Sequence, residues 1–89
     1  MNTIHKYTLE ITDEQFVTLP QWSKILTVQV YGGKLCLWAV VDKEEKRTQD
    51  RCIRIIGTGN PVVDASQLKY IGIVQMSGGV WHVFEKEQS

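Results

Sequence analysis

The side chains able to do chemistry in this 89-residue chain are few: Cys36, Cys52, His5, His82, and Arg54 with the nearby run Gly57-Thr58-Gly59-Asn60-Pro61. A cysteine nucleophile and a histidine base must converge to hydrogen-bonding distance, and the spacing of Cys36 and His82 does nothing to bring them together. No Ser or Asp occupies a nucleophile elbow, and no two carboxylates are spaced as a general acid and base. Pairing of the first and last strands could bring His5 beside His82, but two histidines still leave a metal short of ligands. Two cysteines without a C-x-x-C pair cannot hold structural zinc, so both are read as free thiols on separate strands, with a disulfide between neighbouring strands as the alternative. The sequence therefore assigns no catalytic residue, no metal ligand and no cofactor, and predicts that the protein is not an enzyme.

Two groups of residues remain as candidates for binding. Arg54, Gly57, Thr58, Gly59 and Asn60 could present a guanidinium and turn N–H groups to a phosphate. The loop lacks the Lys-Ser/Thr of a phosphate-binding loop and the long helix of a dinucleotide fingerprint, so a plain turn is the simpler reading. Tyr31 and Trp38, with Gln29, form the other group, since aromatic side chains on a polar face can anchor a protein interface.

The elements that position these groups follow from periodicity. Val28-Gln29-Val30-Tyr31-Gly32-Gly33 reappears 46 positions later as Val74-Gln75-Met76-Ser77-Gly78-Gly79, and each copy leads into an apolar run carrying a tryptophan. Both read as β-hairpins turning at Gly-Gly, because such turns favour positive backbone angles. In the first, Tyr31 then faces Lys34, Thr27 faces Trp38 and Leu26 faces Ala39. Leu26, Val28, Val30, Leu35, Leu37 and Ala39 share a core side, and Thr27, Gln29, Tyr31, Cys36 and Trp38 share a polar, aromatic side. In the second, Met76 would face Trp81 and Gln75 would face His82. Its outer side, Ile71, Ile73, Gln75, His82 and Phe84, is also apolar and is expected to be covered.

Residues 3–11 alternate as a further strand. Thr12-Asp13-Glu14-Gln15 is a turn ahead of a short extended piece at 16–19 and a loop through Pro20. The charged run 42–51 reads as a solvated loop, residues 51–56 as a strand, Asp64 as the cap of one helical turn, and 85–89 as a frayed polar tail. The whole is expected to be one domain over 1–89. It should be mainly β, a small antiparallel barrel or sandwich of six to seven strands built around the two Gly-Gly hairpins.

Ten Lys plus Arg balance ten Asp plus Glu, which disfavours nucleic acid and anionic membrane as partners. No run approaches the roughly 18–20 apolar residues of a membrane helix. A domain this small gains from self-association, so a homo-oligomer is an expectation.

The segments Thr3-Ile4-His5-Lys6-Tyr7, Cys36-Leu37-Trp38-Ala39-Val40-Val41-Asp42, Gly57-Thr58-Gly59-Asn60-Pro61, and Tyr70-Ile71-Gly72 through Trp81-His82-Val83-Phe84-Glu85 resemble a family of small proteins of unknown function encoded by phages and prophages. That resemblance implies the cytoplasm of an infected bacterium. By analogy with other short phage proteins, the expected function is to bind a host protein complex as a counter-defence inhibitor, through Gln29, Tyr31, Trp38, Arg47 and Arg51. The alternative is an oligomeric sponge for a nucleotide-derived signal, held by Arg54, Gly57, Thr58, Gly59 and Asn60.

Overall fold

The computed structural model describes residues 1–87 and contains seven strands: β1 (Asn2–Thr8), β2 (Glu14–Pro20), β3 (Lys24–Tyr31), β4 (Lys34–Asp42), β5 (Thr48–Gly57), β6 (Leu68–Met76) and β7 (Gly79–Lys86). They form two open antiparallel sheets, ordered β1-β4-β3 and β2-β5-β7-β6, with no closed barrel. Among the described residues there is no α-helix, only a 3-10 turn at Ala65–Gln67. Gln88 and Ser89, the end of the expected tail, lie outside the described residues. Glu85 and Lys86 of that tail belong to β7.

Period-two alternation decides what faces inward. Leu35, Leu37, Ala39 and Val41 of β4 meet Ile53 and Ile55 of β5, Val74 of β6 and Val83 of β7 in one core between the sheets. Leu37, Ala39, Ile53 and Val83 are fully enclosed. Each buried aliphatic side chain of this kind stabilises by roughly 1.5–3 kcal/mol, which is how a chain this short holds two sheets together. The alternate residues, among them Cys36, Trp38, Cys52, Arg54 and His82, point to the outer faces.

The first hairpin turns at Gly32 and Gly33 (φ 60° and 77°) and pairs Tyr31 with Lys34 through to Thr27 with Trp38. Beyond Thr27 the register shifts, and Ile25 rather than Leu26 pairs with Ala39. Leu26 is the extra residue of a β-bulge, 41% exposed, and Ile25 takes its expected place against the core.

The second hairpin corrects the Gly78-Gly79 turn. Its turn residues are Ser77 and Gly78 (φ 52° and 74°), so Met76 pairs with Gly79, Gln75 with Val80, Val74 with Trp81 and Ile73 with His82. Gly79 is needed for close approach instead. A Cβ there would lie 2.9 Å from Cζ2 of Trp81, whose indole N–H donates to the Met76 carbonyl at 3.0 Å. Moving the turn by one residue shifts each partner by two, which preserves the faces. Val74, Met76, Trp81 and Val83 still share the inner side. A bulge again interrupts the pairing, at Ile71. Counted from the first turn residue, both bulges stand six positions back, so the structural repeat is 45 residues (Gly32 to Ser77) where the sequence echo is 46.

Other boundaries moved for local reasons. The charged run is a loop only to Arg47, because Thr48–Arg51 pair with β2 as the start of β5. Gln15 closes the turn before β2, as expected, but already belongs to that strand, which begins at Glu14. Its side-chain amide donates to the Glu10 carbonyl at 2.6 Å and its oxygen accepts from the Glu10 N–H at 3.0 Å.

Candidate interaction surface

The outer face of the three-stranded sheet gathers side chains from three strands. Cross-strand pairing sets Lys6, Trp38 and Thr27 in one row, Ile4, Val40 and Lys24 in the next, and Thr8, Cys36 and Gln29 on the other side. Tyr31 stands at the turn end opposite Lys34. Its ring meets Trp38 edge-on, with centroids 6.1 Å apart and planes at 89°, and the Lys6 ammonium sits 4.5 Å above it. Each contact is worth on the order of 1 kcal/mol, enough to hold the three side chains in one arrangement. Tyr31 is 60% exposed, whereas Cys36 beneath this face is buried.

Gln29, Tyr31 and Trp38 thus share one surface, as their parity requires, but Arg47 and Arg51 do not join them. Arg47 lies at the loop before β5, its guanidinium 4.5 Å over the Trp22 ring and paired with Glu45 at 3.0 Å. The hydrogen bond from Arg47 holds the Glu45 carboxyl below its ordinary value. Arg51 points inward at one end of the core. There it forms a fork with Glu85 of β7 (Nη2 to Oε1 2.9 Å) and donates from Nη1 to the Ser23 carbonyl at 2.8 Å. The charged-loop expectation placed Arg51 in solvent because its partner lies 34 residues further on.

The outer face of the four-stranded sheet is organised differently. The segment after β5 folds back over it, and Asp64 bonds Arg54 at 2.7 Å and approaches Lys86 at 3.4 Å. Partial burial pushes the Asp64 carboxyl up, but the hydrogen bond from Lys86 and the charge of Arg54 outweigh it, and it titrates below its ordinary value. Its side chain makes no helix-capping bond, contrary to the capping expectation. Next to it, Tyr70 Oη lies 2.9 Å from Nδ1 of His82, and Thr58 Oγ1 lies 2.8 Å from Nε2, so both ring nitrogens have partners. Ile73 is 55% exposed and Tyr70 51%, so the expected cover over this hairpin's outer side is only partial.

Of the expected ligand-binding residues, Arg54 and Asn60 line one depression of about 340 Å³, shared with Asp13 and Pro61, whereas Gly57, Thr58 and Gly59 do not. The guanidinium is spent on Asp64 and on the Asp13 carbonyl (3.0 Å). Two of the turn's N–H groups are spent as well, Thr58 on the Val80 carbonyl and Asn60 on that of Gly57. An incoming phosphate would have to displace these partners.

The two thiols are free, buried, and on opposite outer faces, so no disulfide joins them. Burial, then the charge of Glu14, pushes the Cys52 thiol up, away from the reactive thiolate. Cys36 and His82 lie in different sheets, as do His5 and His82. Among the described residues, no group of three His, Cys, Asp or Glu side chains converges as a metal site. No helix among them is long and apolar enough to cross a membrane.

The comparison with known proteins bears on the whole chain, since a family model matches residues 1–89. The chain belongs to the DUF7352 family, a domain of unknown function. No curated protein and no solved structure matches it. Membership in DUF7352 does not by itself indicate a phage origin. Sequence reasoning set Lys34 opposite Tyr31 but missed Ile4, Lys6 and Lys24 as members of this surface. The strand order β1-β4-β3, which brings Lys6 across to Tyr31, has no local signature.

Proposed function

We propose that this DUF7352 domain is a non-enzymatic protein-binding module, and that the outer face of its three-stranded sheet is the contact surface. The observation that supports this reading is the exposed Tyr31, held edge-on against Trp38 and beneath Lys6. An aromatic fixed before binding loses little conformational freedom on binding, which is what makes such residues interface anchors. Gln29 and Thr27 add hydrogen-bonding groups beside it. In the phage setting that the sequence resemblance implies, the partner is a host protein complex, and occupying it inhibits a host defence. Self-association would enlarge the same surface.

The test is affinity capture with the wild-type chain, the Tyr31→Ala/Trp38→Ala double variant, and Phe16→Ala, an exposed aromatic on the other sheet's outer face. A captured protein that the double variant loses and Phe16→Ala retains supports the reading. Retention by the double variant overturns it. The alternative, a nucleotide-derived ligand at Arg54 and Gly57–Asn60, has less support because those donors are already engaged. A thermal shift with any cyclic or linear nucleotide would favour it.

A further inference from the structure

We infer that the partner meets this surface with an acidic segment rich in Asp and Glu, an inference that rests on the docking reading above. The chain as a whole is neutral, but its charges are not evenly spread. Lys6, Lys24 and Lys34 are all exposed on the outer face of the three-stranded sheet, one on each strand. Among the described strand residues, the one carboxylate on the same face is Asp42, at the Lys24 end, and the amino terminus of Met1 already pairs with it at 3.2 Å; Glu45 borders the face beside Lys24 and Glu10 beside Lys34. Among the described residues no carboxylate pairs with any of the three lysines. Elsewhere Arg51 is neutralised by Glu85, Arg54 and Lys86 by Asp64, and Arg47 by Glu45, while Lys43, Lys46 and Lys69, likewise without a carboxylate partner among the described residues, are divided between the loop before β5 and β6.

From strand spacing and rise, each lysine stands within roughly 5–14 Å of Trp38. That is comparable to the Debye length of about 8 Å at physiological salt, so their fields overlap around the aromatic pair. Unpaired ammonium groups framing a fixed tyrosine, a tryptophan and Ile4 suit a segment that alternates carboxylates with apolar side chains. A single-stranded nucleic acid fits less well. Base stacking needs open ring faces, and here one face of Tyr31 is taken by the Lys6 ammonium while Trp38 meets the ring edge-on.

The experiment uses a fluorescent peptide of alternating Glu and Val, its Lys and Val counterpart, and an oligothymidylate. These are titrated against the wild type, Lys6→Gln/Lys24→Gln/Lys34→Gln, and Lys43→Gln/Lys46→Gln/Lys69→Gln, a control of identical net charge. The acidic peptide is expected to bind the wild type and the control equally. Its affinity should fall about tenfold in the first triple variant, roughly twofold per exposed pair, and should weaken with salt. Absence of binding, equal binding by the basic peptide, an equal loss in both triple variants, or tighter binding of oligothymidylate would each overturn the inference. Capture separates the two levels. A partner lost by Tyr31→Ala/Trp38→Ala but held by Lys6→Gln/Lys24→Gln/Lys34→Gln leaves the docking surface standing and removes its acidic occupant.

Discussion

The two hairpins share a backbone plan and differ in what their outer sides do with charge. Each turns through two residues of positive φ and carries a bulge six positions before the turn. Outside β6 and β7, however, the chain returns to pair Asp64 with Arg54 and Lys86, and Thr58 with His82. Outside β3 and β4 no described segment returns, and Lys24 and Lys34 face solvent with Tyr31. The difference teaches that polar side chains on one copy are consumed in holding the fold, whereas those on the other are left for something else to meet.

The largest expected effect breaks the equivalence of the turns. Gly79→Ala would force the Trp81 ring from its place and weaken its bond to Met76, at a cost of about 2–3 kcal/mol in urea unfolding. The same change at Gly33, the counterpart of Gly79 in the sequence echo but a turn residue in the fold, has nothing within 4 Å, meets only the positive φ and should cost about 1 kcal/mol. Ser77→Gly should stabilise by roughly 0.5–1 kcal/mol, because it relieves a positive φ that the first hairpin assigns to glycine.

A pH titration sharpens the contrast between the outer sides. The folded-state pKa of Asp64 is depressed, so its contribution is fully present above the unfolded carboxylate value of about 3.9 and is lost as pH falls through the folded value. Asp64→Asn should therefore show a shallower loss of stability on acidification than the wild type. Lys24→Gln should keep the wild-type acid limb, with stability at neutral pH changed by no more than about 0.5 kcal/mol.

Much of this was legible because parity survives small errors. The core side of both hairpins, and the grouping of Gln29 with Tyr31 and Trp38, follow from alternation alone. The second turn was misplaced because the echo aligns glycines by name, and only the indole of Trp81 shows which glycine turns and which makes room. The bulges at Leu26 and Ile71 left no trace, since each is an apolar residue among apolar residues. Arg51 looked solvated within its charged neighbourhood because the carboxylate that draws it inward is remote in the chain. Lys6 joined the candidate surface through a strand order that no local pattern encodes.

The Arg51 fork also bears on how the molecule comes apart. It ties β5 to β7 and to the carbonyl of Ser23, across separations of 34 and 28 residues. Contacts closing loops of that length tend to form after the local hairpins have zipped, on the native side of the folding barrier. Glu85→Gln should therefore leave the refolding limb of a chevron plot nearly in place and raise the unfolding limb. In that role the ion pair is a latch on lifetime, setting how long β5 and β7 stay joined within their sheet once they have paired.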